Sequence, residues 1–117
     1  MSSVSIDYAK LIKTHTLDLL QKIPLEHALR SVGNLPANEK KRLLISIQTI
    51  MRKFKDRDLR LRVLSKLFHP VTSTNDLTYA EALAFCRTAY LEGFAVDDDF
   101  IEWLEEYADQ IISARKK

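Results

Sequence analysis

Apolar residues recur along this chain at steps of three and four, the period of a helix with one buried face. In the first segment Ile6, Ala9, Ile12, Leu19, Leu20 and Ile23 follow this period, with a polar gap at Thr16. They predict a helix over 5–22 with Ser5 as its N-cap. Pro24 ends that helix and suits the first turn of a short second one over 24–32. Gly33 closes it from the C′ position, where a left-handed residue commonly stops a helix.

The strongest stripe is Leu43, Leu44, Ile47, Ile50, Met51 and Phe54, which predicts a third helix over 36–54. A fourth helix, capped by Asp56 or Asp58, runs to about His69 with Leu59, Val63, Leu64, Leu67 and Phe68 inward. The alternative is one bent helix over 37–68. Pro70, Thr72, Ser73, Thr74, Asn75 and Asp76 form the clearest loop. Thr78 and Glu81 have capping-box spacing, so each side chain can satisfy a free backbone N–H at the start of a fifth helix reaching about residue 92. Gly93 reads as a second stop. Asp97, Asp98 and Asp99 favour the positive end of a last helix over 97–114, and Arg115, Lys116 and Lys117 favour its negative end.

No strand pattern and no repeat stands out. The expected fold is therefore all-α: a single compact bundle of five or six short amphipathic helices, with 1–117 as one helical domain. A division into two sub-bundles would fall in the loop 70–77, but each half is too short to bury a good core alone. Composition supports this. Of the 117 residues 46% are apolar, enough for a core, while only two glycines and three prolines leave little material for strand-and-turn architecture. The uninterrupted apolar runs are too short to span a membrane. The first residues lack the basic and apolar regions of a secretory signal, and the lone Cys86 cannot form an internal disulfide. Together these predict a cytoplasmic protein with no membrane role.

Charge changes the picture most. Between residues 40 and 66 ten Lys or Arg meet two acids, a formal +8; between 76 and 110 ten Asp or Glu meet one base, Arg87, a formal −9. The net charge of +2 conceals this segregation. The basic stretch predicts a partner-binding face of Lys41, Arg42, Ile45, Arg52, Lys53, Lys55, Arg57, Arg62 and Lys66, with Ile45 as an apolar residue set among cations. The last helix predicts an acidic-aromatic face of Glu102, Trp103, Glu105, Glu106, Tyr107 and Asp109. Tyr and Trp are frequent binding anchors, and segregated charge steers a charged partner or a second copy of the chain.

Candidate chemistry is sparse. His15, His27 and His69 have no zinc spacing, the aspartate triplet lacks the alternation of a Ca²⁺ loop, and Gly33 and Gly93 cradle no phosphate. Cys86 sits within an Ala- and aromatic-rich stripe, as a buried inert thiol does. No catalytic residue, metal or cofactor is expected, and no small-molecule substrate. The sequence predicts a small non-enzymatic interaction or regulatory protein, an adaptor, inhibitor or assembly subunit. Its partner would be a protein, with self-association into a homo-oligomer included. The alternative is a nucleic-acid-binding module whose basic face lies along the phosphate backbone. Against it, the basic stretch has no interleaved aromatics on which bases would stack.

Overall fold

A computed structural model describes residues 6–91 and 95–115. It is an all-α bundle of six helices: α1 Tyr8–Lys22, α2 Leu25–Ala28, α3 Ala37–Ile50, α4 Arg57–Leu67, α5 Tyr79–Ala89 and α6 Asp98–Arg115. The radius of gyration of 14.2 Å is close to the ~13 Å of a compact chain of this length. Among the described residues no helix is long and apolar enough to cross a membrane.

α5 is the axis of the bundle. Its small side chains explain why: Ala80, Ala82, Ala84 and Ala89 are buried together with Phe85, Cys86 and Thr88, so neighbours approach it from several sides. α1 runs antiparallel along it. Leu19 joins a cluster with Ala28, Ala80 and Ala84, His15 bonds Thr88, and the Tyr8 hydroxyl donates to Asp97 Oδ2 at 3.1 Å. α3 lies against another side of α5, and α6 packs against both α4 and α5. The main core runs from Tyr8 to Ala108 and includes Val71 and Leu77 from the loop between α4 and α5. At its centre Phe100 meets Phe85, Tyr8 and Trp103 at ring-centroid distances of 5.7, 5.2 and 5.8 Å, the first two edge to face. Full burial of such a side chain contributes about 1.5–3 kcal/mol.

Local chemistry sets most boundaries. The Thr78–Glu81 capping box forms as expected: Glu81 N–H donates to Thr78 Oγ1 at 3.2 Å and Thr78 N–H to Glu81 Oε1 at 2.8 Å. Asp56 is the cap of α4, accepting from Asp58 N at 2.9 Å. The chain turns at residues 51–56, so α3 and α4 are two helices and not one bent helix. Buried Met51 and Phe54 pin that turn to the core.

Other expectations are corrected. Asp7 caps α1, accepting from Lys10 N at 3.2 Å, so the helix begins at Tyr8; Ser5 lies outside the described residues. Ile6, expected inward, is half exposed, whereas Tyr8 is core. The second helix stops at Ala28 instead of continuing to 32, because a tertiary contact claims its backbone. Ser31 pairs with Thr78 as an isolated antiparallel bridge, with Val32 N–H donating to Leu77 O and Tyr79 N–H to Arg30 O, both at 2.8 Å. Gly33 is consequently not a helix stop but part of a 3-10 turn, Val32–Asn34. It rests on a second 3-10 turn, Thr74–Asp76, where a Cβ on Gly33 would come within 3.1 Å of Asn75 Cβ. α5 ends at Ala89, earlier than expected, because Tyr90–Leu91 (β1) pairs antiparallel with Ala95–Val96 (β2). Two-residue strands carry no alternation to read, which is why no strand was expected. Gly93, Lys116 and Lys117 lie outside the described residues.

Candidate functional site

α3 separates its two sides cleanly. Leu43, Ile47 and Ile50 are buried, and on the opposite side Lys41, Arg42, Ile45 and Thr49 are exposed. Ile45 is 51% exposed on the side of these cations, as its place opposite the apolar stripe predicts. The Thr49 hydroxyl is turned back onto Ile45 O at 2.8 Å, so it leaves the face to the cations and the isoleucine. In the turn that follows, Met51 and Phe54 point inward, which directs Arg52, Lys53 and Lys55 outward.

On α4 the basic strip divides. Arg57 and Arg60, one turn apart, line a cavity of about 240 Å³ between α3, α4 and the 73–75 segment. Arg62 and Lys66 border a separate groove with Val71, Thr72 and Ile111. Few of these cations are paired. Lys53 meets Glu105 at 3.1 Å, and Arg62 Nε meets Asp58 Oδ2 at 2.9 Å. Arg57 donates to Thr72 O at 3.4 Å. Among the described residues no carboxylate lies within ion-pair distance of Lys40, Lys41, Arg42, Arg52, Lys55, Arg60 or Lys66.

On α6, Phe100, Leu104 and Ala108 are buried at successive turns, which leaves Trp103 and Tyr107 on the flank. Both are half buried. Trp103 stacks on Tyr107, with centroids 5.0 Å apart and planes 23° from parallel, and meets Tyr8 at 5.5 Å. Glu102, Glu106 and Asp109 are exposed beside them. Burial raises the Tyr107 hydroxyl pKa, and the charge of Asp7 adds to this. Burial also pushes Tyr8 up to about 12, with the hydrogen bond to Asp97 acting in the same direction. The basic and acidic-aromatic faces are neighbours: α4 packs on α6, and Lys53 with Glu105 spans the seam. Part of the charge complementarity is thereby used within the molecule.

Cys86 and the three imidazoles are each engaged in contacts within the fold. Cys86 is buried, and burial pushes its thiol up to about 12, far from a reactive thiolate. His15 Nδ1 is 3.0 Å from Thr88 Oγ1, which itself donates to Ala84 O, so His15 is the donor of that bond. His69 Nε2 is 2.9 Å from Glu81 Oε1, and this bond holds the imidazole pKa above its ordinary value. His27 packs on Tyr79 at 4.5 Å. Among the described residues no group of three His, Cys, Asp or Glu is arranged to hold a metal ion.

The Arg57 and Arg60 cavity was not foreseen. The i, i+3 spacing of the two arginines is readable in the sequence, but the docking of residues 73–75 opposite them is not. No family model matches the chain, and no curated protein or solved structure matches it significantly.

Proposed function

We propose that the protein is a small, non-enzymatic cytosolic interaction protein that works by occupying an acidic surface on a protein partner. The observation that carries this is the exposed Ile45 one helical turn from Lys41 and Arg42 on α3, with Arg52 exposed in the turn that follows, cations with no carboxylate partner among the described residues. An apolar residue amid unpaired cations supplies both terms a docking surface needs. The isoleucine gives contact area that is dry once covered, and the cations steer the approach and exclude basic competitors. The acidic-aromatic flank of α6 is a secondary contact, because Trp103 and Tyr107 already spend much of their surface on each other and on Tyr8.

The test replaces Lys41, Arg42 and Arg52 together by Glu and compares wild type and variant in cross-linked pull-downs. A specific protein captured by the wild type and lost by the triple variant supports the proposal. An unchanged set of captured proteins overturns it. Fluorescence anisotropy with labelled DNA and RNA at about 50 and 200 mM salt addresses the backbone-binding alternative, since affinity that falls steeply with salt is its mark.

A further inference from the structure

We propose that the cavity between α3, α4 and the 73–75 segment is a binding site for a phosphate monoester carrying a small apolar group. This inference does not depend on the surface around Ile45. Arg57 and Arg60 form one wall, Leu44, Met51 and Leu61 offer apolar surface, and the remaining polar groups come from Gln48 and residues 73–75. Among the described residues no carboxylate lines the cavity, and the adjoining Asp76 is engaged with Thr72 and Ser73. Arg57 makes a single long bond to a backbone carbonyl, and Arg60 has no carboxylate partner among the described residues. The Gln48 amide and the Thr74 hydroxyl have no hydrogen-bond partner among the described residues either. Ser73 Oγ accepts from Asn75 N at 3.2 Å, which keeps its own proton available to donate.

Asn75 Oδ1 is buried without a partner, although the large majority of buried polar atoms in folded proteins are paired. That oxygen is shielded from the open cavity, so the amide that faces a ligand there is that of Gln48.

The number of donors selects the ligand. One guanidinium fork saturates the two oxygens of a carboxylate. Two forks, two hydroxyls and an amide exceed that demand and match the three terminal oxygens of a monoester dianion. The apolar surface takes the organic part, which favours an ester over inorganic phosphate. A cavity of about 240 Å³ lies below the ~300–1,000 Å³ of pockets for drug-sized ligands, so that part is small. A phosphodiester, substituted on both sides, cannot present three free oxygens.

Phenyl phosphate is the probe, titrated into the full chain and followed by backbone amide chemical shifts. The expected result is saturable binding with shifts centred on residues 48, 57–61 and 73–75. Arg60→Gln weakens it about tenfold, the loss of one hydrogen bond to a charged group, and Lys41→Gln leaves it unchanged. Thr74→Val, which keeps the side-chain shape, also weakens binding and guards against a folding artefact in the arginine variant. Benzoate and diphenyl phosphate bind more weakly. A phosphotyrosine peptide identifies the source of the group: tighter binding than phenyl phosphate assigns it to a side chain of a partner, weaker binding to a free monoester, and both support the site. The proposal is overturned if no saturation occurs up to about 10 mM, if benzoate binds as well, or if Lys41→Gln and Arg60→Gln weaken binding equally. Lys41, Arg42 and Arg52 do not line the cavity and their partner is tested by the pull-down, so failure here leaves the proposed protein partner untouched.

Discussion

Lys53 Nζ stands 3.1 Å from Glu105 Oε1, and the pair ties the turn between α3 and α4 to the middle of α6. Among the described residues it is the one ion pair between the basic and acidic stretches, yet both side chains are well exposed, at 68% and 45%. Exposed pairs of this kind are worth about 0–1 kcal/mol, because water screens the charges and two long side chains lose rotamer freedom. A double-mutant cycle with Lys53→Gln and Glu105→Gln, read by urea denaturation, is expected to give a coupling below about 1 kcal/mol that shrinks further at high salt. The link positions the two faces; the core beneath holds the helices together.

That core has a centre at Phe100. Its ring is fully buried and touches Phe85, Tyr8 and Trp103, so truncation removes apolar contact and opens a cavity at the junction of α1, α5 and α6. Phe100→Ala is expected to cost about 3–5 kcal/mol, much of the stability of a domain this size. Denaturant midpoints measure the loss. Tryptophan fluorescence should shift as well, because Trp103 loses one wall of its site. Ile45→Ala, by contrast, should leave stability within about 0.5 kcal/mol, as an exposed position does.

What could be read ahead of the structure follows from how local each feature is. The α3 stripe, a cap for α4 at Asp56 or Asp58 and the Thr78–Glu81 box depend on near neighbours along the chain. The box forms, Asp56 is the cap, and the stripe is found on a helix that ends at Ile50 instead of 54, with Met51 and Phe54 buried in the turn beyond. The exposed position of Ile45 follows from the same helical period. The stop after Ala28 was not legible, because it is imposed by Leu77 and Thr78, more than forty residues away. Tyr8 is not among the inward residues the first helix predicts; its burial depends on Asp97, just before α6, for its hydroxyl and on Phe100 of α6 for its ring. The split of the basic strip needed the position of the 73–75 segment beside Arg57 and Arg60, which no pattern along the chain encodes.

The capping box at α5 has a measurable weight. Thr78 Oγ1 satisfies the Glu81 N–H, and that amide loses its partner in Thr78→Ala. The same residue sits in the bridge to Ser31, whose backbone contacts survive the substitution. The expected cost is about 1 kcal/mol, within the range for loss of an N-cap, and Thr78→Ser should recover most of it. Urea denaturation of the two variants checks this. Equal losses in both would mean that the Thr78 methyl, not its hydroxyl, supports the helix start.

Two histidines give stability opposite dependences on pH. His69 is held above its ordinary pKa, chiefly by the hydrogen bond to Glu81, so the folded state binds its proton more tightly than the unfolded chain. Its contribution is complete below the unfolded value of about 6.5 and is lost as pH rises through the folded value. His15 is lowered, first by burial and then by the charge of Arg87. Its contribution is complete above the unfolded value and is lost as pH falls through the folded one. Stability should therefore decline on both sides of a maximum near pH 6.5. Each slope should be modest, at most about 1 kcal/mol for the part-exposed His69 pair. Urea midpoints between about pH 5 and 8 separate the two groups. His69→Gln should flatten the alkaline limb and leave the acid limb, while His15→Gln should do the reverse. An alkaline limb that persists in His69→Gln would assign that decline to another group and remove the role given to the Glu81 bond.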